Sequence, residues 1–183
     1  MILSIGESKP KKWKPIAEII KAVEGTDHTH SFISWHDEAL DFRKVSEARG
    51  GGGRIVINHQ FREENHVVRV FQYEITKEKL IELERWIWEH MRPYGYKHML
   101  GLAWMRLEMQ WNPKAKNHFK DGEFSMVCVE LSARAIQLAT GIALPGDVED
   151  YGLLEMHDIN MENAHKKLCT LAPDELIARI NAG

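Results

Sequence analysis

Two cysteines and ten histidines are the residues of this 183-residue chain best suited to nucleophilic chemistry, and one cysteine stands apart by its setting. Cys128 lies in FSMVCVELSARAIQLATG (124–141), where an apolar run meets an amphipathic helix. About a hundred residues earlier, DHTHSFISW (27–35) carries His28 and His30 on a presumed strand. A free thiol is only a few per cent thiolate at neutral pH, and the thiolate is the nucleophile. A helix N-terminus stabilises a neighbouring anion by roughly 0.3–1 kcal/mol, less than one pKa unit at ~1.4 kcal/mol per unit. An imidazole from elsewhere in the fold would have to supply the larger part and serve as the base. Glu130 would oppose the thiolate if it faced the sulfur, but two residues along a helix turn it about 200° away.

Other readings compete. Free cysteine usually packs as a small hydrophobe, and Cys169, in HKKLCTLAP, has no setting that suggests more. His28 and His30 share a face if they lie on a strand, and with His36 or Asp27 they could form a metal site. No HxxxH, HExxH or CxxC pattern accompanies them, so neither a metal nor an organic cofactor is expected.

The elements that would position these groups read as α+β. PIAEIIKAVEG (15–25) has a proline at a first helical position, Ile16, Ile19, Ile20 and Val23 at helical spacing, and Gly25 to close it. Strands are expected around Ser31–Trp35 and Leu40–Ala48. ARGGGGR (48–54) reads as a turn or loop, because four glycines cost too much entropy inside an element. RIVINHQF (54–61) and HVVRVFQYEI (66–75) have the β-branched and aromatic alternation of strands. Thr76 can cap a helix from Lys77 to Met91 buried along Leu80, Leu83, Ile87 and Met91. Short helical pieces are expected around 97–109, a helix from Cys128 to Thr140 ending at Gly141, and a tail of loops with a last helix over Pro173–Asn181.

The length fits one domain with a real core. A net charge of −3 makes no case for nucleic acid or an anionic membrane as the main partner. Two cysteines make no disulfide framework, the first residues lack a signal-peptide pattern, and no apolar run approaches a membrane span of ~18 residues. A reducing cytoplasm, or a virus particle assembled in one, is the expected location.

The order of these motifs resembles the permuted NlpC/P60-like, papain-fold amidases of the YiiX/YaeF kind, in which histidine precedes cysteine. THSFISW with His30 is similar to their histidine strand, KVSEARGGGGRIV places Glu47 and Ala48 at their acidic position, MRPYGYKHM matches a tract before the cysteine, and CVELSARAIQ begins as their cysteine helix does. The resemblance covers about residues 2–150 and leaves 151–183 as a C-terminal extension. Two departures are Ser31 after the histidine and Val129 after the cysteine.

The resemblance implies a circularly permuted papain-like fold, with an antiparallel sheet packed against helices, and a Cys–His–Glu triad. Cys128 would attack a carbonyl, His30 would move the proton, and Glu47, or His59 in its place, would orient the imidazole. The implied reaction is hydrolysis of an amide or peptide-like bond, such as that of a small peptide or cell-wall fragment. Alternatives on the same scaffold are a lipid or ester acyl hydrolase or acyltransferase, and a non-catalytic structural or binding module. Trp35, Tyr94, Tyr96, Trp104 and Trp111 are candidates to shape a groove.

Overall fold

Alternation of apolar residues builds a six-stranded, wholly antiparallel sheet in the computed structural model, which describes residues 1–91, 93–120 and 125–182 and, for Ile16, the backbone alone. The Ile16 side chain, Arg92 of the MRPYGY tract and Phe124 before the cysteine lie outside the described residues. In chain order the strands are β1 (Ile2–Pro10), β2 (His30–Asp37), β3 (Phe42–Arg49), β4 (Gly52–Ile57), β5 (Asn65–Glu74) and β6 (Thr170–Leu171), and their spatial order is β4-β3-β2-β1-β5-β6. The helices are α1 (Pro15–Glu24), α2 (Asn58–Glu64), α3 (Lys77–Glu89), α4 (Tyr96–Glu108), α5 (Cys128–Thr140), α6 (Leu153–His165) and α7 (Asp174–Ala182). The α+β expectation holds.

Period-2 alternation divides the strands between two cores. Leu3, Ile5, Ile33, Trp35, Phe71 and Tyr73 face the larger one, with Leu83 of α3, Ile136 of α5 and Met156 of α6. Phe32, Val45, Val67 and Val70 face the smaller one, against Phe61 of α2 and the apolar side of α7. Thr76 caps α3, accepting from the Lys79 N–H at 3.3 Å, and Gly141 ends α5 in the left-handed region at φ 72°. Both follow the sequence reading. Among the described residues no helix is long and apolar enough to cross a membrane.

Three expectations are corrected, and β1 is a central strand where the sequence reading places no element. The strand expected over 54–61 ends at Ile57, because the polar run Asn58–Glu64 folds into α2 around one anchor, fully buried Phe61, whose ring lies 4.5 Å from that of Phe32. The glycine run is not all loop: β3 and β4 pair Arg49 with Gly52, leaving Gly50 and Gly51 as the turn, with Gly52 at φ 104°. The tail beyond 151 is not mainly loop, since α6 buries Leu153, Met156 and Ile159 in the larger core and β6 extends the sheet beside β5.

Candidate active site

The site is built where one strand and one helix both begin. His30 is the first residue of β2, and Cys128 is the first residue of α5, which packs across β2 and β3. The β2–β3 register pairs Ile33 with Ser46. Continued towards the start of β2, it sets Glu47 diagonally across from His30 on the same face, within reach of a long side chain. The His30 Nε2 and a Glu47 carboxylate oxygen are 2.6 Å apart. With Nε2 so engaged, Nδ1 is the ring atom left to face Cys128, whose thiol is near enough to act on the charge of the ring.

Electrostatics favour a charged ring. Burial opposes the imidazolium, but the hydrogen bonds and charges of Cys128 and Glu47 outweigh it and raise His30 to about 10. Burial alone would raise Glu47, but the His30 hydrogen bond and charge, with the guanidinium of Arg54, outweigh it and hold the carboxyl at about 2. Glu47 is 1 % exposed, so its charge is paired on both sides: by His30, and by Arg54, whose Nε donates to the other carboxylate oxygen at 2.6 Å. Arg54 also bonds Glu64 of α2 at 3.0 Å, and Arg49 joins the same carboxylate.

Arg54 is a site residue that the sequence reading missed, and a signal for it existed. A two-residue Gly-Gly turn at 50–51 fixes the hairpin register and places position 54 opposite Glu47.

A second missed contact ties the strand to the helix. The Ser31 and Ser132 hydroxyls are 2.6 Å apart and buried, joining the residue after His30 to the residue one helical turn after Cys128. Ser31, one of the two departures from the expected pattern, therefore has a buried partner of its own. Val129, the other departure, is simply buried core at 2 % exposure. Removing one hydroxyl leaves the other buried and unpaired, at a cost of about 1–3 kcal/mol, whereas removing both is nearly neutral. Urea unfolding of Ser31→Ala, Ser132→Ala and the double variant should therefore show strong non-additivity. Additive losses would mean that the two hydroxyls do not bond each other.

The other candidates scatter. His59 is exposed on α2 and pairs with Glu63 at 3.3 Å, so Glu47 and not His59 meets the imidazole. His28 is buried beside Asp27 (3.2 Å) and Glu7 (3.6 Å), and His36 lies at the other end of β2, 3.4 Å from Asp41. The three histidines of the metal reading are therefore apart, and among the described residues no group of three or more His, Cys, Asp or Glu side chains is placed to hold a metal ion.

Trp35 is core, donating to Glu84 at 2.6 Å, and Trp104 and Trp111 are exposed. Tyr96 donates to the Gly50 carbonyl at 2.9 Å, pinning the start of α4 to the β3–β4 turn. Only Tyr94 among these five aromatics borders the thiol's cavity, where burial and the neighbouring Cys128 raise its phenol. Glu130 turns to Arg134 at 2.9 Å, and burial raises its carboxyl. Cys169 is buried and donates to the Asn160 carbonyl at 3.7 Å, and burial raises its thiol.

Two hollows meet at the pair. One, of about 200 Å³, is bordered by Cys128 between α1 and α4. The other, of about 110 Å³, is bordered by His30 and Glu47. A larger hollow of about 650 Å³ lies at Ala139–Gly141 and Glu74–Thr76, at the far end of α5 from the thiol. No protein-family model matches this chain, and neither a curated protein nor a solved structure does.

Proposed function

We propose that this protein is a cysteine hydrolase that cleaves an amide or peptide-like bond through a thioester, on a fold of the permuted papain-like, NlpC/P60 kind. The observation that carries the reading is one imidazole 2.6 Å from a buried carboxylate, with the thiol of Cys128 near enough to act on the charge of the ring. The order of elements supports the fold: a histidine-bearing strand precedes the cysteine-bearing helix, and the acidic residue lies on the adjoining strand.

In the first half-reaction the Cys128 sulfur attacks the carbonyl carbon, forming a C–S bond as the carbonyl π electrons move to oxygen. Collapse breaks the C–N bond, and the amine leaves with the proton that His30 carries. Water then attacks the thioester while His30 takes its proton. Carboxylic acid departs and the sulfur returns to its starting state. Glu47 keeps the ring in one orientation and stabilises its charge throughout. The first N–H groups of α5 have no intrahelical acceptor and stand beside the sulfur, so they can receive the oxyanion.

The test is the rate of Cys128 alkylation by iodoacetamide between pH 5 and 9, located by peptide mass mapping to separate it from Cys169. Wild type should alkylate at Cys128 at pH 6, and His30→Ala should do so at least tenfold more slowly. Equal rates in the two proteins would remove the pair and the hydrolase with it.

A further inference from the structure

The two hollows beside the pair differ in chemistry, and the difference bears on the substrate. The one bordered by Cys128 has walls of Ile20 and Val23 from α1 and Met99, Leu102 and Ala103 from α4. Among the described residues its one charged wall residue is Glu24, neutralised by Arg106 at 3.1 Å. The one bordered by His30 is lined by Lys14, Arg49, Glu64 and Asn65. Ile20 and Thr29 border both, so the hollows adjoin.

Mechanism assigns an occupant to each. In the thioester the acyl carbon is bonded to sulfur, so the acyl group stays on the Cys128 side. The leaving group must come within reach of the proton on His30, so it departs on the polar side.

We propose that the acyl group this enzyme transfers is an aliphatic chain of about eight carbons, seated between α1 and α4, an inference that rests on the thiol–imidazole reading above. The length follows from volume. A dry apolar cavity of about 150 Å³ holds a six-carbon benzene ring, and this one offers about 200 Å³. A peptide acyl group would bring amide N–H and C=O groups into walls with almost nothing to bond them, a cost that an alkyl chain avoids. The outer lining, Ile19 and Leu100, is exposed, so chains long enough to reach past it would gain less per carbon.

The experiment uses the full chain with p-nitrophenyl esters from acetate to dodecanoate. The Cys128 sulfur displaces p-nitrophenolate, which is read by its absorbance, and the acyl-enzyme is weighed by intact mass. Alkylation of the same sample by iodoacetamide reports the nucleophile independently. Acylation should rise about fourfold per methylene up to about eight carbons and then level off. Ala103→Phe, which fills the cavity from α4, should lower the octanoyl-to-acetyl rate ratio at least tenfold. Val23→Phe does the same from α1 and guards against a misfolded first variant.

Iodoacetamide labelling of Cys128 with acylation independent of chain length would overturn the aliphatic subsite and leave the hydrolase standing. A Cys128 inert to iodoacetamide and to every ester would sink both.

Discussion

Cys128→Ala should abolish acyl transfer while leaving the fold in place. Loss of a nucleophile that works with a positioned base costs on the order of 10⁴–10⁶ in turnover, because the remaining groups have no covalent step to assist. The side chain is small and 6 % exposed, at the edge of a cavity. Its truncation therefore removes one sulfur's worth of packing, which thermal unfolding should register as a modest shift. The measurement is hydrolysis of the best ester or amide by both proteins at equal concentration, with circular dichroism as the check on folding. Residual turnover near wild type would place the chemistry elsewhere. His30→Ala should fall less far, by about 10²–10⁴, the share that a general base contributes.

The second large effect is on stability, and it belongs to Glu47. Its carboxyl is lowered from 4.5 to about 2 in the folded chain. A lowered carboxylate contributes stability that is present above its unfolded pKa and lost as pH falls towards the folded value. A shift of that size is worth about 3 kcal/mol. His30 runs the other way: raised from 6.5 to about 10, it contributes most below 6.5 and loses that contribution as pH rises through 10. Their mutual stabilisation is therefore at full strength from about pH 4.5 to 6.5. Urea unfolding of wild type and Glu47→Gln at pH 6 and pH 2.5 isolates the carboxylate. Wild type should lose about 2.5 kcal/mol more than the variant on acidification, since pH 2.5 still lies above the folded value. Parallel losses in the two proteins would mean that Glu47 is not the charged partner of the ring.

Much of the site was legible in the sequence because it depends on local signals. The Cys128–Thr140 helix begins and ends where its apolar pattern and Gly141 say it should, and β2 begins at His30, within a residue of the expected strand. What escaped reading depends on distant partners. β1 places Ser4, Glu7 and Ser8 in the interior, at 2 % exposure or less, so its sequence lacks the polar-out alternation of a half-buried strand. Glu7 is tolerated there because Arg69 and His157 meet it at 2.6 and 2.8 Å, from 62 and 150 residues away. α6 escaped for a similar reason. It buries Asn160 and Asn163, both bonded to the Tyr73 hydroxyl of β5, and a local reading scores those positions as polar surface. The α1 stripe is helical as expected but little of it is closed off: Ile19 is 60 % exposed, and Ile19, Ile20 and Val23 all border a cavity, Ile20 also packing against the larger core.

The Ser31–Ser132 contact also fixes where α5 can rest along β2. An interface of methyl and methylene groups tolerates axial creep, since one apolar contact replaces another at little cost. Two buried hydroxyls do not, because a slide of even a fraction of the 5.4 Å helical pitch breaks their bond and strands both. Since Cys128 is one turn from Ser132 on the same helix, and His30 is adjacent to Ser31 on the same strand, the hydroxyl pair acts as a detent. It holds the sulfur at a set distance from the ring whatever the rest of the interface allows.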